Sequence, residues 1–124
     1  MWEDRDLETN THCIINTEWG AFGEHGELDF LLTKWDLTVD AESLNPGKQV
    51  FEKMVSGMYM GEIVRHILLD LAKEQFILKG INVSNLQEKN SFPTRYICEI
   101  EYDPVGRYER NRMILQELFG QDAI

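Results

Sequence analysis

Asn45-Pro46-Gly47-Lys48-Gln49-Val50-Phe51-Glu52-Lys53-Met54 is the stretch from which the rest of the chain is read. Asn-Pro-Gly is turn chemistry: proline presets one φ, and glycine accepts a left-handed one. From Gln49 onward the apolar positions Val50, Phe51, Met54, Val55, Met58 and Tyr59 recur at helical spacing, and Ile63, Val64, Ile67, Leu68 and Leu71 continue the pattern. Gly57 and Gly61 interrupt it, and a glycine costs a helix about 1 kcal/mol relative to alanine. The spacing therefore predicts a short helix, a joint near Gly57 and a longer helix to about Glu74. Gln49 and Glu52, three apart at the helix start, lie near one another on its surface. Glu52 falls off the apolar stripe. By spacing alone it reads first as a carboxylate favoured by the helix macrodipole, with a ligand group as the alternative.

Upstream, residues 12–19 alternate. Cys13, Ile15, Thr17 and Trp19 point one way and Ile14, Asn16 and Glu18 the other, which predicts a strand. Gly20, Gly23 and Gly26 then make a loop. On such a strand Asn16 and Glu18 share a face. A carboxylate accepts from two neighbouring hydroxyls, and an amide both donates and accepts, so the pair suits a polyhydroxylated ligand. Spacing alone leaves open a solvated strand residue beside a turn former. One strand makes no sheet, so a partner is expected either in residues 76–81 or in other sequence.

Downstream, Asp29 is expected to cap a helix over residues 30–39, and Ser84 or Asn85 to start a single helical turn. Thr94 is expected to cap a helix stopped by Pro104, and residues 107–119 to form a last amphipathic helix closed by Gly120. Residues 1–11 are polar and acidic and are expected to be poorly ordered.

The 124 residues are 43% hydrophobic and 27% charged, an ordinary globular composition that suits one compact domain or a piece of a larger one. The formal net charge of -10 repels phosphate backbones and anionic membranes, so a nucleic-acid partner is not expected. No apolar run reaches the roughly 18 residues of a membrane span. The start of the chain resembles neither a signal nor a transit peptide, and a cytosolic location is expected. Cys13 and Cys98 are too few for a disulfide framework and read as small buried apolar residues. His12, His25 and His66 have no metal-ligand spacing, and no metal site is expected.

Taken together, Ile15-Asn16-Thr17-Glu18-Trp19-Gly20-Ala21-Phe22-Gly23 and the run from Leu44 through Gly57-Met58-Tyr59-Met60-Gly61-Glu62 to Arg65 strongly resemble the eukaryotic hexokinase and glucokinase family. The resemblance extends from about residue 14 to 120. It implies an α/β fold, the actin-like ATPase or ribonuclease H-like superfold, of which residues 12–124 are part of the large, C-terminal lobe. This slice is expected to be mostly helical, with the short strand near its start.

The implied activity is ATP-dependent phosphorylation of glucose and other hexoses at the 6-hydroxyl. ATP arrives with Mg2+, so the acidic surface does not exclude it. The resemblance assigns Glu18 and Glu52 to the glucose hydroxyls, with Asn16 and Gln49 supporting. It assigns Gly57, Met58, Thr94, Arg95 and Cys98 to the nucleotide side, although Cys98 stands where the family usually has serine. The family's catalytic aspartate, in an Asn-Asp-Thr-Val-Gly-Thr type segment, has no counterpart in these residues. Neither do its glycine-rich phosphate segments or the Thr-Lys pair that helps hold the sugar. The chain alone is therefore expected to be inactive and to bind no cofactor tightly. The alternative is a non-catalytic sugar-binding, regulatory or interaction module that associates through exposed large-lobe surfaces.

Overall fold

The computed structural model describes residues 13–120. Residue 12 and the stretch 1–11, with the expectation of a poorly ordered start, lie outside the described residues. Five helices follow in order: α1 (Lys34–Ala41), α2 (Val50–Val55), α3 (Gly57–Lys73), α4 (Arg95–Glu101) and α5 (Glu109–Phe119). Short 3-10 turns lie at Trp19–Ala21 and Ser84–Gln87.

The long helix α3 is the spine. On one side it carries α1 and α2, which also touch each other. On the other it carries α4 and the 3-10 turn at Ser84–Gln87, against which α5 packs. The apolar core lies on this second side: Leu86, Phe92, Tyr96, Ile114 and Leu118 are buried, with Val64 and Leu68 of α3 packed on them. Phe92 and Tyr96 meet edge to face at 5.3 Å.

The α2–α3 joint follows the sequence expectation. Ser56 is extended (φ -75, ψ 138) and its side chain accepts from the Met58 N–H, capping α3. α1 differs from expectation. It starts at Lys34, because Thr33 and Asp36 form a capping box that satisfies the first orphan N–H groups. Asp29 does not cap it; residues 28–32 fold into turns in which the Leu31 and Leu32 N–H groups donate to the Leu28 carbonyl. α5 starts at Glu109, later than expected, because Asp103 reaches forward to accept from the Arg110 and Asn111 N–H groups.

The expected strand is not formed: among the described residues there is no strand. Residues 13–18 have no regular structure, and Glu18 adopts a left-handed conformation (φ 54) that turns the chain out of an extended path. The expected partner at 76–81 is a set of turns instead, with Leu78 at φ 52 and Gly80 at φ 76. Cys13 and Cys98 are exposed free thiols rather than buried residues. No described helix is long and apolar enough to cross a membrane.

The α1–α2 side is tied by charge. Lys53 is only 4% exposed. Its Nζ donates to Asp40 Oδ1 at 2.6 Å and to the Asn45 carbonyl at 2.7 Å. Asp40 in turn accepts from the Gly47 N–H. One ammonium thus joins the end of α1, the turn at 45–47 and α2. Lys53→Met keeps the stem but removes both bonds, and is expected to cost about 2 kcal/mol. Urea unfolding at neutral pH checks this; a midpoint equal to that of the parent chain contradicts it.

Candidate functional site

The site is built around the first turn of α2. The loop carrying Glu18 is stitched to it by three contacts. The Phe51 N–H donates to the Phe22 carbonyl at 3.1 Å. The Gln49 N–H donates to Glu24 Oε1 at 2.9 Å. Lys48 Nζ donates to Glu24 Oε2 at 2.9 Å. Gln49 is the N-cap of α2, sits in the left-handed region and makes no side-chain cap bond. The Phe22 carbonyl takes the Phe51 N–H that such a cap would satisfy, and the Glu24 carboxylate holds the Gln49 N–H itself from outside the helix. The Lys48 ammonium, and after it the Gln49 N–H, hold the Glu24 carboxyl below the usual carboxylate range.

Gly20 lies directly over this turn. A Cβ built there would stand 2.2 Å from Gln49 Oε1, the mobile end of a side chain, and 3.3 Å from Glu52 Cβ, so the bare glycine lets the loop sit this close without displacing either. The structure brings the Glu18 loop, Gln49 and Glu52 close to one another, and without the expected strand. Asn16 and Glu18 are paired by a local turn rather than by a strand face: the Glu18 N–H donates to Asn16 Oδ1 at 3.2 Å, and Asn16 Nδ2 donates to Glu18 Oε1. Beside them Thr17, Glu18, Trp19, Phe22 and Phe51 line a cleft of about 510 Å³. Phe51 meets the Trp19 and Phe22 rings edge to face, each at 6.5 Å. An apolar wall with the Glu18 carboxylate and the Thr17 hydroxyl beside it can hold a ligand that has an apolar face and a hydroxylated edge.

The second group of predicted residues lies past the other end of α2, a helix about 9 Å long. Gly57 and Thr94 are in contact. The Thr94 hydroxyl donates to the Gly57 carbonyl, and its oxygen accepts from the Gly61 N–H at 2.9 Å. Those are the carbonyl and N–H four residues apart that one helical turn links, so the hydroxyl latches the start of α4 to the start of α3. Thr94 precedes α4 as expected, but it makes no side-chain cap bond to that helix. Met58 and Cys98 are exposed. Arg95 points along α4 toward α5: its guanidinium lies 5.2 Å from the Tyr96 ring and 3.4 Å from Glu117.

Sequence reasoning missed four contributors: Glu24, Gly20, the Asp40–Lys53 pair and the Glu62–Arg65 pair. The last carried a signal, an acid and a base three apart on one helix face. Its burial did not. Glu42, Glu62 and His66 also bring possible metal-ligand atoms within 4.8 Å of one another. The Arg65 guanidinium already sits among them, 2.9 Å from Glu62, 2.9 Å from His66 Nε2 and 3.7 Å from Glu42. Its fixed positive charge makes the cluster an ion-pair network rather than a cation site.

A family profile described as hexokinase matches residues 1–123. A hexokinase of Schistosoma mansoni is 48% identical over 106 residues, which is 85% of this chain and 24% of that protein. Human hexokinase-3 is 50% identical over 104 residues, 84% of this chain and 11% of that protein. The solved structure of the Schistosoma mansoni hexokinase complexed with glucose superposes with a TM-score of 0.77 at 47% identity, covering 82% of this chain and 23% of that one. By structure, then, the described helices fit the hexokinase fold. The chain belongs to the hexokinase family. It spans about a quarter or less of the length of these relatives.

Proposed function

We propose that this chain carries the sugar-contacting helix start of a hexokinase, and that the whole catalytic unit phosphorylates glucose and related hexoses at the 6-hydroxyl with ATP. Glu18 and Glu52 accept hydrogen bonds from sugar hydroxyls, Asn16 and Gln49 shape the rim, and the aromatic wall of Trp19 and Phe51 faces the ring. Gly57, Met58, Thr94, Arg95 and Cys98 form the nucleotide side, where Mg2+ bound to the nucleotide would neutralise the phosphate charge. The observation that carries this reading is the seating of the Glu18 loop on Gln49 and Glu52 through Gly20. The hexokinase that superposes on it was solved as a glucose complex.

Phosphoryl transfer needs a base and phosphate-cradling loops in addition to these residues. The 124 residues carry no Asn-Asp-Thr-Val-Gly-Thr type segment. By themselves they are expected to bind glucose weakly, about millimolar or weaker, and to transfer no phosphate. Glucose titration followed by tryptophan emission tests this, since Trp19 adjoins Glu18. The expected result is a saturable change that Glu52→Ala abolishes. A flat response from the unmutated chain would overturn the assignment of the site. Hexose phosphorylation above a trace in a coupled assay would overturn the expectation of inactivity.

A further inference from the structure

Glu24 is a half-buried acid, its side chain 14% exposed, in a loop where a solvated carboxylate would be ordinary. Both of its oxygens are committed to the two residues that open α2: Lys48 through Nζ and Gln49 through its backbone N–H. No side chain of α2 itself caps the helix, and Gln49 is held at φ 52, a conformation that a glutamine rarely adopts. Six residues later in the chain than Glu18, Glu24 therefore spans the same two elements that carry the two sugar-facing carboxylates. The Glu18 loop and α2 meet elsewhere through the Phe22–Phe51 backbone bond, the packing of Phe51 against Trp19 and Phe22, and the glycine contact at Gly20, none of which carries charge.

We propose that Glu24 is the positioning residue of the sugar site: it fixes the left-handed Gln49 and, through it, the approach of Glu52 to Glu18. It touches no ligand. Its charge is what matters, because the bonds to an ammonium and to a helix N-terminal N–H both strengthen with a full negative charge on the acceptor. This proposal rests on the sugar reading above.

The charged groups around Glu24 are Lys48 and the adjacent His25, which itself faces Glu27 at 3.8 Å. A carboxyl held below its ordinary range stabilises the folded arrangement at pH values above that range. The contribution is lost as pH falls through the lowered value. Acid should therefore release Gln49 in the unmutated chain and do nothing further in a chain whose residue 24 is already neutral.

The test follows amide protection and glucose binding by NMR in the 124-residue chain, with Glu24→Gln and Glu24→Asp. In Glu24→Gln, protection of the Gln49 amide is expected to fall about tenfold and glucose to bind about tenfold more weakly, the scale of one charge-assisted hydrogen bond. Amides in the middle of α3 stay unchanged and serve as the internal control. Glu24→Asp, which keeps the charge, is expected to recover part of both losses. Gln49 protection falls with acid in the unmutated chain and is flat in Glu24→Gln. If Glu24→Gln loses Gln49 protection but binds glucose as the parent does, Glu24 is a helix cap alone and the proposal fails. Unchanged Gln49 protection also overturns it. A parent chain with no glucose-dependent shifts overturns the sugar reading instead, and the exchange data then leave Glu24 as a cap without a positioning role.

Discussion

Arg65→Leu is expected to destabilise the chain by about 3–5 kcal/mol, the cost of breaking a buried ion pair from one side. Arg65 is 3% exposed and Glu62 6%. The guanidinium donates to Glu62 through Nε at 3.0 Å and Nη2 at 2.9 Å, and through Nη1 to the Leu86 carbonyl at 2.8 Å. Glu62 also accepts from the Asn90 N–H at 2.7 Å. The pair thus holds the Ser84–Gln87 turn at Leu86 and the loop after it at Asn90 against α3, and Leu86 is the most deeply buried residue of the core. Removing the arginine leaves a carboxylate desolvated with one N–H for company, and frees the Leu86 carbonyl. Domains of this size have about 5–15 kcal/mol in all, so much of the fold's stability is at stake. Urea unfolding by circular dichroism measures it. Replacing both partners with leucine should recover part of the loss, because the uncompensated charge is then gone. A single mutant as stable as the parent would show that solvent reaches Glu62 and that the pair is not buried in solution.

Gly61→Val is expected to cost about 3 kcal/mol and to disrupt the Thr94 end of α2 before the Gln49 end. A Cβ at position 61 would stand 2.3 Å from the Phe92 carbonyl oxygen, 2.7 Å from the Thr94 N and 3.0 Å from the Pro93 carbonyl carbon. All three are backbone atoms, so no rotamer change relieves the overlap. The segment 92–94 has to move off α3, and the Thr94 bonds to Gly57 and Gly61 go with it. Amide exchange separates the two sides: protection of the amide at position 61 should collapse while that of Gln49, held by Glu24, persists. Equal loss at both positions would mean that the two ends of α2 open as one unit and that the latch has no local role.

Why Gly61 is glycine is not legible in the sequence, where it reads as a weak point in a helix. The atoms that forbid a side chain come from residues about thirty positions away. The helical stripe from Val50 to Leu71 and its joint near Gly57 were legible, because local period and a cap residue decide them. The alternation at 12–19 was misleading. Seven alternating residues satisfy the strand pattern, but a strand needs a paired neighbour, and among the described residues there is none. A side-chain turn between Asn16 and Glu18 takes over, with the two polar groups still adjacent. Lys53 and Arg65 were illegible for another reason: a charged residue on a helix reads as solvated until a turn or loop closes over it.

The sequence by itself determined the helical frame, the family and the two motifs whose residues gather at the ends of α2. These depend on local periodicity and on near-literal matches, which need no folding to be read. Only the tertiary structure decided which groups hold those motifs in place. Glu24 over Gln49, Thr94 across Gly57 and Gly61, and the Glu62–Arg65 pair beneath residues 86–90 join residues 25 to 37 and 21 to 28 positions apart. Such contacts are chosen by how helices pack on α3 and by the cost of leaving a buried charge or N–H unpaired, a balance that no local pattern encodes.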